Sequence, residues 1–121
     1  MANIFVFGSN LLGIHGAGAA KHARHFYGAE VGVGVGRTGN SYAIPTKATP
    51  SKTLPLNEIR GYVQQFLEYA NSRYWETFNV TAIGCGLAGY TPTDIAPMFS
   101  WCPENVNLPQ EFLKVIHANK C

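Results

Sequence analysis

The chain has 121 residues, of which 46% are hydrophobic and 13% charged, enough apolar material for one compact core and too little length for a second. Its net charge of +2, from nine Lys plus Arg against seven Asp plus Glu, is too small and scattered for a duplex nucleic-acid footprint, and no apolar run approaches the ~20 residues that span a bilayer. The opening "MANIFVFGSN" lacks a signal peptide's basic start, and Cys85, Cys102 and Cys121 form no C-x-x-C pair, so the expectation is a cytosolic protein with free thiols, no membrane partner, no metal and no cofactor.

"NIFVF", Asn3 to Phe7, is a β-branched and aromatic run that stops at Gly8, which predicts a buried strand. Ala20, Ala23 and Tyr27 then recur at helical spacing with Lys21 and Arg24 on another side, predicting a small amphipathic helix from about Gly16 to Phe26. The Val-Gly alternation from Val31 to Gly36 has period two, and Thr38, Gly39 and Asn40 lead into "SYAI". That pattern predicts two strands joined by a turn.

"PTKATPSKTLP", Pro45 to Pro55, carries three prolines without periodicity and reads as an exposed loop. The clearest helix follows, its stripe of Leu56, Ile59, Val63, Phe66, Leu67 and Ala70 ending near Asn71. "FNVTAI", Phe78 to Ile83, reads as the next buried strand, stopped by the glycines of "GCGLAGYTPTD". Thr91 or Thr93 can cap a short helix limited by Pro97, Glu104 to Pro109 can add a strand, and "QEFLKVIH" a last helix or turn. Alternating strands and helices imply an α/β domain with a mixed, largely parallel sheet, whose ligands bind outside the carboxyl ends of the strands.

Two glycine loops would emerge at that rim. A glycine loop leading into a helix offers unblocked N–H groups and the positive end of a helix dipole, which suit a phosphate or pyrophosphate. Gly8, Gly13, Gly16, Ala17 and Gly18 belong to the first loop, with Ser9 and Asn10 placed to hydrogen-bond a ribose or base and His15 as a polar group facing ligand. The plainer reading is a set of turn glycines in a tight crossover. The second loop, Gly84, Cys85, Gly86, Leu87, Ala88 and Gly89, favours the ligand, because two loops can clamp a diphosphate from opposite sides. Tyr90 can stack on a base or pack in the core; Cys85 is either a reactive thiol or a filler of small space. Neither loop is followed by Gly-Lys-Ser/Thr, and the first is not G-x-G-x-x-G, which disfavours triphosphate hydrolysis.

"GIHGAGAAKHARHF" ahead of "SYAIPTK", a helix and then "VTAIGCGLAGY" resembles the macro domain, the fold that binds ADP-ribose and related NAD-derived nucleotides. The likeness spans roughly residues 3–99 and is nearest to the small branch that removes ADP-ribose from glutamate. The chain is also similar to bacterial and phage proteins that share the "FGSN…HGAGAA…YAIPTK…GCGLAGY" skeleton. The resemblance implies a compact three-layer α/β/α fold, an ADP-ribose or ADP-ribosylated protein partner, and ADP-ribosyl hydrolase chemistry in which Lys47 of "IPTK" attacks the anomeric carbon of the distal ribose. That attack needs a neutral amine, which desolvation favours and bound phosphates oppose. Lys47 as a surface lysine, or as a simple phosphate partner, is the plainer reading. In the hydrolase branch an aspartate follows "GCGL" and releases the intermediate; here that position is Ala88, and Asp94, six residues on, reads as a helix cap.

His22 and His25 have a spacing that can hold a metal but no third ligand at a recognisable offset, and are set aside. Phe7 and Phe26 are assigned to the core, Trp75 and Trp101 to core, edge or a partner surface. Alternatives to a nucleotide-binding hydrolase are a non-catalytic sponge that sequesters a nucleotide signal and a Rossmann-like nucleotide phosphoribohydrolase, which would need acidic residues that neither loop carries. The chain is short for a macro domain, so a homodimer could complete the site.

Overall fold

The computed structural model describes residues 3–118. Cys121 lies outside the described residues. Strand β1 (Asn3–Asn10) alternates its side chains between two cores: Ile4 and Val6 enter one, Phe5 and Phe7 the other. Helix α1 (Gly18–Phe26) covers the second core with Ala20 and Ala23, whose small side chains let it lie close to Phe7 and Ala43. Phe26 does not join them. At 72% exposure it points outward, where it meets the ring of His22, and the expectation of a core residue is corrected.

A long segment leads from α1 to β2 (Gly36–Thr38) and β3 (Ser41–Thr49), which pair antiparallel through the turn at Gly39 and Asn40. The expected strand over Val31 to Gly36 is not formed: β2 begins where that segment ends, and Val31 and Val35 are exposed. The alternating glycines serve backbone packing instead. A Cβ on Gly34 would stand 2.1 Å from the Asn10 carbonyl oxygen, and one on Gly13 2.4 Å from the Gly32 carbonyl carbon, so residues 32–34 lie flush beneath the end of β1.

The expected loop over Pro45 to Pro55 is likewise corrected. β3 continues through Pro45 to Thr49 and folds back on itself as β4 (Lys52–Thr53), pairing Lys47 with Thr53. Pro45 sits in the gap between the β2 pairing, which ends at Ala43, and the β4 pairing, which starts at Lys47. A missing N–H costs no antiparallel rung there.

Helix α2 (Leu56–Ser72) buries Ile59, Val63, Phe66, Leu67 and Ala70, the stripe its periodicity predicts, against the sheet face opposite α1. It leads to β5 (Thr77–Val80), which ends before the last residues of "FNVTAI"; Thr81 still donates its N–H and hydroxyl to the Val6 carbonyl of β1 at 3.0 and 2.8 Å. Short helix α3 (Pro92–Ile95), the 3-10 turn Ala96–Phe99, β6 (Val106–Asn107) and α4 (Gln110–Ala118) complete the chain, with Ile95, Phe99 and Phe112 in the α2 core.

The result is a mixed α/β fold in three layers. Its six-stranded sheet has the order β2-β3-β1-β5-β6 with β4 on the edge of β3, and the pairs β3·β1, β1·β5 and β5·β6 are parallel. The chain leaves β1 to one side through α1 and returns through α2 to the other, so strand order reverses at β1. Such switch points open a crevice at the carboxyl ends of the strands. No helix among the described residues is long and apolar enough to cross a membrane.

Candidate functional site

A cavity of about 370 Å³ opens at this switch point, within the range of about 300–1,000 Å³ common to small-molecule sites. Its walls come from three parallel strands and the two glycine loops. β1 contributes Gly8, Ser9 and Asn10 at its carboxyl end, β3 contributes Thr46 and Lys47, and the turn after β5 contributes Thr81, Ala82 and Ile83. Gly16, Ala17 and Gly18 of the first loop, and Gly84, Gly86, Leu87 and Ala88 of the second, line the same space. The segments singled out by glycine content are therefore brought together in one crevice.

The first loop is rigid for reasons that residue types alone do not announce. Asn10 spans four residues: its Oδ1 accepts from the Ile14 N–H at 3.1 Å and its Nδ2 donates to the Ile14 carbonyl at 2.9 Å. Ser9 donates its hydroxyl to the Gly34 carbonyl. His15 is 2% exposed, stacked edge-on to Phe7, with Nε2 at 3.1 and 3.2 Å from the carbonyls of Glu30 and Val33. Two carbonyls can only accept, so Nε2 carries the proton and pins residues 30–33 beneath the loop. The expectation that His15 faces ligand is thus corrected: it lies outside the cavity lining, behind the loop it supports.

The loop then enters α1 through Ala17, which has no side chain able to cap the helix. Among the described residues, the amides of Gly16 and Ala17 find no acceptor, and those of Gly84, Gly86, Leu87 and Ala88 likewise find none. Unpaired N–H groups from two loops converging on one cavity, one of them at a helix N-terminus, favour an anion.

The second loop is held at its base and free at its tip. Gly84, at φ +75°, packs its Cα against Ile95, where a Cβ would stand 3.0 Å from Cδ1. Thr53 donates to the Ala88 carbonyl at 3.1 Å, and the Tyr90 hydroxyl to the Leu54 carbonyl at 2.6 Å. Tyr90 and Cys85 pack against the α2 core, and neither they nor Gly89 line the cavity, so of their two readings the packing one holds. Burial, followed by the negative charges of Glu111 and Asp94, pushes the free Cys85 thiol up, away from a reactive thiolate. Asp94 closes a capping box with Thr91, accepting from its N–H and its hydroxyl at 3.0 Å each.

Among the described residues Lys47 is the one charged side chain on the cavity wall, and its ammonium donates to the Pro50 carbonyl at the β3–β4 turn. Ile14, Thr46, Pro50 and the turn 81–83 were not anticipated as site residues. Thr46 and Pro50 flank Lys47 in sequence, which is the signal that could have found them; nothing local marks residues 81–83. His22 and His25 stand on the outer side of α1, and among the described residues no group of three His, Cys, Asp or Glu is placed to hold a metal.

Comparison with known proteins adds nothing to this geometry: no family model matches the chain, and neither a curated protein nor a solved structure matches it.

Proposed function

We propose that the chain binds a diphosphate-containing nucleotide, ADP-ribose or a related NAD derivative, between its two glycine loops. The observation that carries this reading is the single cavity lined by both loops at the carboxyl ends of β1 and β5, with unpaired backbone amides from each. A lysine stands on its wall and no Asp or Glu does, so the local field suits an anion. The macro-domain resemblance of "HGAGAA" and "GCGLAGY" supplies the nucleotide class.

Binding without turnover is the form of the activity these residues favour. The nucleophile of the hydrolase branch has its counterpart in Lys47, on the wall and tied to Pro50, but Ala88 stands where that branch carries its releasing aspartate and Asp94 is consumed in a helix cap. A phosphoribohydrolase is disfavoured because no acidic side chain lines the cavity.

Calorimetric titration with ADP-ribose should show saturable one-to-one binding; the absence of heat and of amide chemical-shift changes in residues 16–18 and 84–88 would remove the reading. Incubation with a glutamate-ADP-ribosylated protein should leave the modification in place. Release of free ADP-ribose by the native chain, lost in Lys47→Ala, would instead establish the hydrolase.

A further inference from the structure

The turn at the tip of the second loop is closed on itself. The Gly89 N–H donates to the Gly86 carbonyl at 3.1 Å, which leaves the amides of Leu87 and Ala88, the two central residues of the turn, without an acceptor among the described residues. The peptide unit that follows Ala88 is gripped at both ends, its N–H by the Gly86 carbonyl and its own carbonyl by the Thr53 hydroxyl at 3.1 Å. A peptide unit free to rotate can turn its carbonyl oxygen into the space that neighbouring amides face, and an oxygen there repels an anion. Two bonds prevent that rotation.

Thr53 itself does not line the cavity. It stands on β4 directly opposite Lys47 of β3, and side chains opposed on one antiparallel rung share a face of the sheet. One partner of the rung supplies the lysine on the cavity wall, and the other holds the second loop. The hairpin keeps its shape through the Leu54 N–H, which donates to the Thr46 carbonyl at 2.9 Å, while the Leu54 carbonyl accepts the Tyr90 hydroxyl at 2.6 Å as a second tie to the loop. Resting on the nucleotide reading above, we propose that Thr53 is a positioning residue for the ligand: through the Ala88 carbonyl it holds the Leu87 and Ala88 amides toward the diphosphate, at a separation from Lys47 fixed by the β3–β4 rung.

The test is calorimetric titration of ADP-ribose into the full native chain, Thr53→Val and Thr53→Ser, each shown to be folded by circular dichroism. Valine keeps the shape of threonine without the hydroxyl, and its dissociation constant should rise about fivefold, the scale of one neutral hydrogen bond. Serine keeps the hydroxyl and should stay within about twofold of the native chain. In Thr53→Val the amide chemical-shift changes on binding should persist at residues 16–18 and shrink at 87 and 88, a signature that a loss spread over the whole fold does not produce. Unchanged affinity in Thr53→Val, a loss that Thr53→Ser shares, or shift changes reduced equally in both loops overturns the inference and leaves the nucleotide reading intact. A native chain that binds no ADP-ribose overturns both. Should Thr53→Val not fold, Tyr90→Phe cuts the second tie and is read the same way: affinity about fivefold weaker supports the positioning role of the hairpin, and equal affinity removes it.

Discussion

The two glycine loops that frame the cavity differ in what stands behind them. Behind the first, backbone meets backbone: a Cβ on Gly13 would stand 2.4 Å from the Gly32 carbonyl carbon and one on Gly34 2.1 Å from the Asn10 oxygen, although the cavity-lining Gly16 and Gly18 have nothing within 4 Å. The second is crowded only at its base, where a Cβ on Gly84 would stand 3.0 Å from Ile95, while one on Gly86 or Gly89 would meet nothing within 4 Å. One loop is a braced wall, fixed by Asn10, Ser9 and His15; the other is a tip anchored at Gly84, Ala88 and Tyr90. A ligand site made this way needs only one side to adjust.

The contrast is sharpest in a pair of substitutions at glycines that both have negative φ, Gly34 and Gly86, so that space alone differs between them. Gly34→Ala forces the segment 32–34 off the end of β1 and breaks the Ser9 bond to its carbonyl. Its expected cost is about 4 kcal/mol, in the range reserved for severe overpacking. Urea unfolding monitored by circular dichroism should show a large fall in midpoint; a midpoint within error of the native chain would mean that the braced wall does not exist.

A second brace, far from the cavity, gives the next effect. Glu76 is buried and accepts both arms of Arg37, at 2.8 and 2.9 Å, and Arg73 Nε at 2.6 Å, tying the edge strand β2 to the turn before β5. Hydrogen bonding to Arg37, then Arg73, holds its carboxyl down at about 2 against an ordinary 4.5, with burial opposing. Because the folded value is the lower one, the stabilisation is fully present above about pH 4.5 and is lost as pH falls toward about 2, where the folded carboxylate takes up its proton. Glu76→Gln should cost about 2 kcal/mol at neutral pH, less than a fully buried pair because both arginines stay partly in water. The variant should also have a flatter stability profile between pH 5 and pH 2; a parallel profile would assign the acid sensitivity elsewhere.

How much of this was legible in the sequence follows from the range of the forces involved. The stripe of α2 and the strand "NIFVF" were readable because burial on one face imposes a period that neighbours in sequence share. The Val-Gly run was misread because its period was real and its cause was not: alternating glycines let one backbone lie on another, and the partner, Asn10 and Leu11, is more than twenty residues away. Separation in sequence also hides Ser9's acceptor, 25 residues away, and His15's two carbonyls, 15 and 18 residues away, so polar residues that looked available to a ligand turn out to hold the wall. Pro45 misled for a different reason, since its cost in a strand depends on whether a neighbour occupies that rung. The glycines of "HGAGAA" and "GCGLAG" were readable as loops, and their meeting in one crevice followed from the rule for parallel sheets rather than from the residues themselves.

The smallest expected change in stability comes from the open loop, and it bears most directly on ligand binding. Gly86→Ala adds a methyl group to a residue with negative φ and empty surroundings, so unfolding should shift by no more than about 0.5 kcal/mol. Gly86 lines the cavity, however, and a methyl group beside an unpaired amide keeps a phosphate oxygen from closing on it. ADP-ribose affinity should therefore fall by about tenfold, the loss of roughly one charge-assisted hydrogen bond. Calorimetry and urea unfolding on the same preparation separate the two quantities. Equal affinity in Gly86→Ala would place the diphosphate off the second loop and leave the braced wall as its sole support; a drop in stability matching the drop in affinity would mean the tip is structural after all.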